Sequence, residues 1–185
     1  MTWEIFWLGR AGQGVITASR LLASAALLEG KHVQAFPQFG AERLGAPVKG
    51  YTRISETHIE IHSAISKPDA AVIMDVNLLR GLVQSGNLPK AKLTVVNHGG
   101  DEELAKAVRR VNPKVWAVNA TGISMGIFQR VIVNTPMVGA LIKAMPIVSL
   151  ESIEKAVLNR FPGTIGEKNV EAVRKAYESA EEVVL

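Results

Sequence analysis

The stretch "WEIFWLGRAGQGVITASRLLASAALLEG" occupies residues 3–30, and its reading decides the fold. Residues 3–8 are a short, largely apolar run that reads as a buried first strand. Gly9, Gly12 and Gly14 follow within six positions. Residues 13–29 then read as a helix, with Val15, Ile16, Leu21, Leu22, Leu27 and Leu28 among four alanines and Gly30 as its C-cap. Between Val15 and Leu28 only Thr17, Ser19, Arg20 and Ser24 give polar relief, so cover is expected on more than one side. Strand, glycine turn and apolar helix together open an α/β fold.

Working outward, "HVQAFPQF" (32–39) reads as a second strand ending near Pro37. "APVKGYTRIS" (46–55) and "THIEIHSAI" (57–65) read as paired strands with a turn near "SET". "DAAVIMD" (69–75) has the continuous apolar character of a central parallel strand, followed by a helix turning Leu78, Leu79, Leu82 and Val83 inward. "KLTVVN" (92–97) and "KVWAVN" (114–119) repeat the strand pattern around a helix carrying Leu104, Val108 and Val111. Strand signals then stop. A helix opens at Thr135–Pro136 and ends at Pro146, and Ser149 and Ser152 are cap candidates for the next. A final helix over about 167–184 aligns Val170, Val173, Tyr177 and Val184. The expected class is α/β: an open, mixed but mostly parallel sheet with helices on both faces, an antiparallel strand insertion and a helical C-terminal part. Residues 1–185 are read as one domain.

Composition narrows the chemistry. The 185 residues contain no cysteine, which rules out disulfides, thiolate-ligated clusters and cysteine nucleophiles in this chain. The formal charge of +4 is scattered rather than striped, and aromatics are only 5% of residues, so no nucleic-acid footprint is expected. No signal peptide is visible, and "LLASAALL" (21–28) is far shorter than a membrane span of about 20 residues. The expectation is a cytoplasmic protein without a membrane. Its 48% hydrophobic content hints at faces covered by a partner.

Four motifs bear on function. "GRAGQG" (9–14) sits where a doubly wound fold binds phosphate, yet Ala11 breaks the dinucleotide fingerprint, and "HVQAF" (32–36), where the ribose-binding acid is looked for, holds no acidic residue. A tight turn, an anion contact and a subunit contact stay open. "FPQFGAERLGAPVKG" (36–50) sets Glu42 and Arg43 between Gly40 and Gly45, as a contact loop or as a solvated hairpin tip. "HIEIH" puts His58, Glu60 and His62 on one strand face, either as metal ligands or as an ordinary half-exposed strand. Asn134 and Thr135 cap a helix or meet a ligand; Asp75, Asn97 and Asn119 end apolar strands where α/β sheets gather ligands.

Taken in order, "GRAGQGVITASRLLASAALLEGK", "VQAFPQFGAERLGAPVKGYTRIS", "KPDAAVIMD" and "NTPMVGALIKA" resemble the gamma subunits of 2-oxoacid:ferredoxin oxidoreductases, equivalent to the third domain of fused pyruvate:ferredoxin oxidoreductases. The chain departs from that pattern at Ala11, where the family has glycine, and at Leu44, where pyruvate-type loops carry a second arginine. The resemblance implies a complex that decarboxylates a 2-oxoacid, commonly pyruvate, on thiamine diphosphate with magnesium. Electrons pass through iron–sulfur clusters to ferredoxin, and the acyl group leaves on coenzyme A. It implies alpha, beta and delta partner subunits and no redox cofactor on this chain. Gly9, Gly12, Gln13, Gly14, Gly40, Glu42, Arg43 and Asn134 are then candidates for a coenzyme A or subunit contact, with no catalytic residue and no metal site. The alternative is a free-standing nucleotide- or flavin-binding oxidoreductase built on the glycine turn.

Overall fold

The computed structural model describes residues 1–38, 46–61, 63 and 65–185. β1 (Thr2–Arg10) leads into α1 (Val15–Leu28), β2 (His32–Gln38) and β3 (Pro47–Ser55). β4 (Ala70–Ile73), α2 (Val76–Ser85), β5 (Leu93–Asn97), α3 (Glu102–Arg109) and β6 (Val115–Val118) then alternate. α4 (Ala120–Phe128), α5 (Asn134–Ala144), α6 (Leu150–Arg160), α7 (Thr164–Ser179) and the short β7 (Glu181–Glu182) complete the chain.

Among the described residues the strands form one sheet in the order β2-β3-β1-β4-β5-β6-β7. β1, β4, β5 and β6 run parallel, while β3 is antiparallel to both β1 and β2. Alternation along β1 splits the core. Ile5 and Trp7 face the side covered by α1, α5, α6 and α7, whereas Phe6 and Leu8 face the side of α2 with Tyr51 and Ile65. The expected mixed, mostly parallel sheet with helices on both faces is what forms.

α1 is covered on two sides, as its composition demands, but by this chain itself: it lies on β2 and β3 and packs against α5 and α6. Leu27 and Leu28 alone on its last turn stay exposed, at 57% and 52%. Gly30 ends it in the left-handed region with φ 76°. Gly30 N donates to Leu27 O at 2.9 Å and Lys31 N to Ala26 O at 3.0 Å, the paired bonds of a Schellman ending.

Several expectations are corrected. Residues 57–61 are not a strand; the antiparallel insertion is β2–β3, with β1 taking the outer partner's place. The reason is Arg53, 1% exposed. Its guanidinium donates to Ile61 O at 2.9 Å and Ser63 O at 3.0 Å, so those carbonyls are held by a side chain rather than by a strand ladder. α3 stops at Arg109, leaving Val111 57% exposed, and α7 stops at Ser179, leaving Val184 79% exposed. α4 was not expected, and β7 is a strand beyond the point where strand signals stopped. None of the helices described is long and apolar enough to cross a membrane.

Candidate functional site

β1 sends its chain through α1 to β2 and β3 on one side, whereas β4 continues to β5 and β6 on the other. The carboxyl ends of β1 and β4 therefore frame the crevice where open α/β sheets collect ligands. The glycine turn lies there. Gly9 is its closely packed member: a Cβ on it would stand 2.8 Å from Val15 Cγ2 and 3.0 Å from Gln13 Oε1. Gly12, at φ 90°, has no described residue within 4 Å of its Cβ position. Gly14, at φ 77°, is the residue before α1, and no side chain caps that helix. The first turn of α1 thus starts from bare backbone, with its macrodipole pointing at the turn.

One carboxylate ties the turn down. Asp75 Oδ1 accepts from Leu78 N at 2.6 Å, which caps α2, and from Arg10 Nε at 3.2 Å. Its Oδ2 accepts from Gln13 Nε2 at 2.6 Å, while Gln13 Oε1 accepts from Arg10 N at 2.9 Å. Gln13, expected to meet a ligand, spends its carboxamide inside the turn. Arg10 was not singled out from sequence, although it is the one cation between Gly9 and Gly14.

Asn134 closes the other side. It is 8% exposed, and its Oδ1 accepts from Thr135 N at 3.0 Å. The capping expectation is corrected: α5 begins at Asn134 itself, without a side-chain cap, and Thr135 Oγ1 instead donates to Asn169 Oδ1 at 2.8 Å. The structure brings Gly9, Gly12, Gln13, Gly14 and Asn134 together. Gly40, Glu42 and Arg43 lie outside the described residues. The near flank of their loop does reach the turn, since Ala11 N donates to Ala46 O at 3.4 Å.

The other strand-ending residues are structural. Asn97 Nδ2 donates to Met74 O and Thr121 Oγ1, each at 3.0 Å, and Asn119 Oδ1 caps α4 through Gly122 N at 2.8 Å. A larger cavity of about 520 Å³ lies along β6, lined by His98, Glu102, Lys106, Glu181 and Glu182 among others. Burial pushes the His98 imidazole down, against the opposing pull of Glu102 and Asp101. With three carboxylates against one lysine, this cavity is unsuited to an anion. His58 packs edge-on to His32 with ring centroids 5.8 Å apart, and His62 lies outside the described residues. Among the described residues no group of three or more His, Cys, Asp or Glu is placed to hold a metal.

The family model for pyruvate ferredoxin/flavodoxin oxidoreductase matches residues 4–179. The chain is 43% identical over 179 residues to the pyruvate/ketoisovalerate oxidoreductases common subunit gamma of Pyrococcus furiosus, covering 96% of this chain and 97% of the relative. It is 42% identical over 179 residues to the pyruvate synthase subunit PorC of Thermotoga maritima, covering 95% and 93%. The crystal structure of a pyruvate oxidoreductase subunit PORC from Thermotoga maritima superposes with a TM-score of 0.81 at 39% identity, covering 99% of both chains. A 2-oxoglutarate:ferredoxin oxidoreductase from Magnetococcus marinus shares the fold, with a TM-score of 0.73 at 19% identity; the match spans 96% of this chain and 30% of that one.

Proposed function

The chain belongs to the pyruvate ferredoxin/flavodoxin oxidoreductase family, and on that premise we propose that it is the gamma-type subunit of a multi-subunit 2-oxoacid:ferredoxin oxidoreductase. Pyruvate is the 2-oxoacid; the products are acyl-coenzyme A, carbon dioxide and reduced ferredoxin. Alpha, beta and delta subunits carry thiamine diphosphate and the iron–sulfur clusters. The residues here do not fit a thiolate-ligated cluster, because the sequence has no cysteine. No electron-transfer step is therefore assigned to this chain.

Its own contribution is a surface. The observation that carries the reading is Gly12, whose left-handed backbone leaves its Cβ direction clear of the described residues at the mouth of the crevice. Beside it, the first-turn amides of α1 offer hydrogen-bond donors to an anion such as a coenzyme A phosphate, and Arg10, itself tied to Asp75, adds positive charge nearby. Asn134 and Asp75 hold those donors in place. Arg43, carried over from the family resemblance, adds a second cation, and a contact with a neighbouring subunit is the alternative use of the same surface.

Purification of the native complex tests this. The chain is expected to co-purify with larger thiamine- and cluster-bearing subunits, and ferredoxin reduction is expected to require both pyruvate and coenzyme A. Gly12→Val and Arg43→Ala in that complex are expected to raise the KM for coenzyme A or to loosen assembly. An isolated chain that binds NAD or a flavin and turns over alone overturns the reading.

A further inference from the structure

On the sheet face opposite α1, a cavity of about 340 Å³ opens between β3, the 65–68 segment and the end of α2. Phe6, Leu8, Tyr51 and Leu82 supply apolar walls; Lys49 and Lys90 stand on its rim. Tyr51 donates its hydroxyl to Gln38 Oε1 at 2.6 Å, and burial pushes the phenol up, so it presents a ring rather than a charge. No carboxylate lines this cavity among the described residues. Five lysines elsewhere hold carboxylates, but neither Lys49 nor Lys90 has an ionic partner among the described residues. Asp69, the carboxylate nearest in sequence to Pro68, is spent on Lys92 Nζ at 2.7 Å and Glu4 N at 2.9 Å.

An apolar socket rimmed by cations that have no ionic partner among the described residues has a defined complement. We infer that this cavity is a docking socket for a surface segment of a neighbouring subunit, in which an apolar side chain flanked by Asp or Glu seats against Tyr51 and Leu82 while its carboxylates meet Lys49 and Lys90. The inference rests on the subunit reading above and adds a second contact surface to it. Charge complementarity of this kind speeds association and rejects wrong partners, and an apolar anchor slows release.

The test uses the assembled complex. Lys49→Glu/Lys90→Glu reverses the rim, and Ser66→Trp fills the socket from an exposed position. Each is expected to weaken binding of this chain to the remaining subunits by about tenfold or more, with the melting temperature of the isolated chain unchanged. Wild-type affinity in both variants overturns the socket while co-purification of the wild-type chain leaves the subunit reading standing. Self-association of the isolated chain, or a melting shift with coenzyme A, that the charge reversal abolishes assigns the cavity to another occupant and overturns the inference equally.

Discussion

Gly14 is pressed against Asn134: a Cβ on the glycine would stand 2.7 Å from Asn134 Nδ2 and 3.1 Å from its Cβ. The start of α1 is thereby set by the start of α5, two elements far apart in sequence. Gly14→Ala imposes both an overlap and a left-handed alanine, at φ 77°. We expect a loss of about 2–4 kcal/mol, combining overpacking with left-handed strain. Urea unfolding of Gly14→Ala, Asn134→Gly and the double variant checks it. The double variant should recover the overlap part, a coupling of at least about 1 kcal/mol; additivity would mean the contact is not what excludes a side chain.

Asp75 takes three donors from three places: Leu78 N, Arg10 Nε and Gln13 Nε2. Asp75→Ala removes an N-cap and two side-chain ties, so we expect a loss of about 2–4 kcal/mol. Asp75→Asn keeps the Oδ1 that accepts from Leu78 N and Arg10 Nε, but its amide nitrogen cannot accept from Gln13 Nε2 and the charge that pairs Arg10 is gone. It should retain the cap while freeing Gln13 and weakening the hold on Arg10. In the assembled enzyme Asp75→Asn should then alter the KM for coenzyme A more than it alters melting. Equal melting of Asp75→Ala and the unsubstituted chain would show that the turn needs no such tie.

Much of this arrangement is legible in the sequence, and the exceptions have physical causes. Apolar strand, glycine turn and apolar helix fix β1, α1 and the position of the crevice, because local backbone geometry and burial point the same way. Gly30 and Ser149 act where end-of-helix chemistry puts them. The "HIEIH" pattern misleads because alternation is also what an exposed irregular segment can show, and only the buried Arg53 decides between them. α4, "ATGISMGIF", hides because two glycines weaken helix propensity; its helix depends on the Asn119 cap. The Gln13–Asp75–Arg10 tie spans 62 residues or more, a separation that no local pattern encodes.

Glu29 joins the end of α1 to the start of α6. Its Oε1 accepts from Ser149 N at 2.7 Å and its Oε2 from Lys31 Nζ at 2.8 Å. Burial raises its pKa, but the hydrogen bonds from Lys31, Ser149 and Ser152 together outweigh this and bring it to about 2. A depressed carboxylate contributes stability that is complete above its unfolded pKa near 4.5 and is lost as pH falls toward about 2. With its side chain 23% exposed, solvent screening leaves a contribution of about 1–2 kcal/mol. Glu29→Gln should therefore be less stable at pH 7 and lose less on acidification to pH ~3. Parallel melting curves against pH for the two proteins would remove Glu29 from the acid response.

Arg53 is the most demanding group in the fold. At 1% exposure, its guanidinium donates to Glu4 Oε1 at 2.8 Å, Gln34 Oε1 at 2.7 Å, Ile61 O and Ser63 O. A buried cation is tolerated only when its donors are matched and its charge is paired. Here Glu4 supplies the charge and the two carbonyls pin the segment after β3. Removing the guanidinium strands a carboxylate and two carbonyls, so Arg53→Met is expected to cost about 3–5 kcal/mol. Arg53→Lys keeps the charge but lacks the planar fork, so it should fall between the two. The distinguishing readout is local: limited proteolysis within residues 57–61 should speed up in Arg53→Lys before global unfolding does. If that segment keeps its resistance to cleavage in both variants, something other than Arg53 holds it.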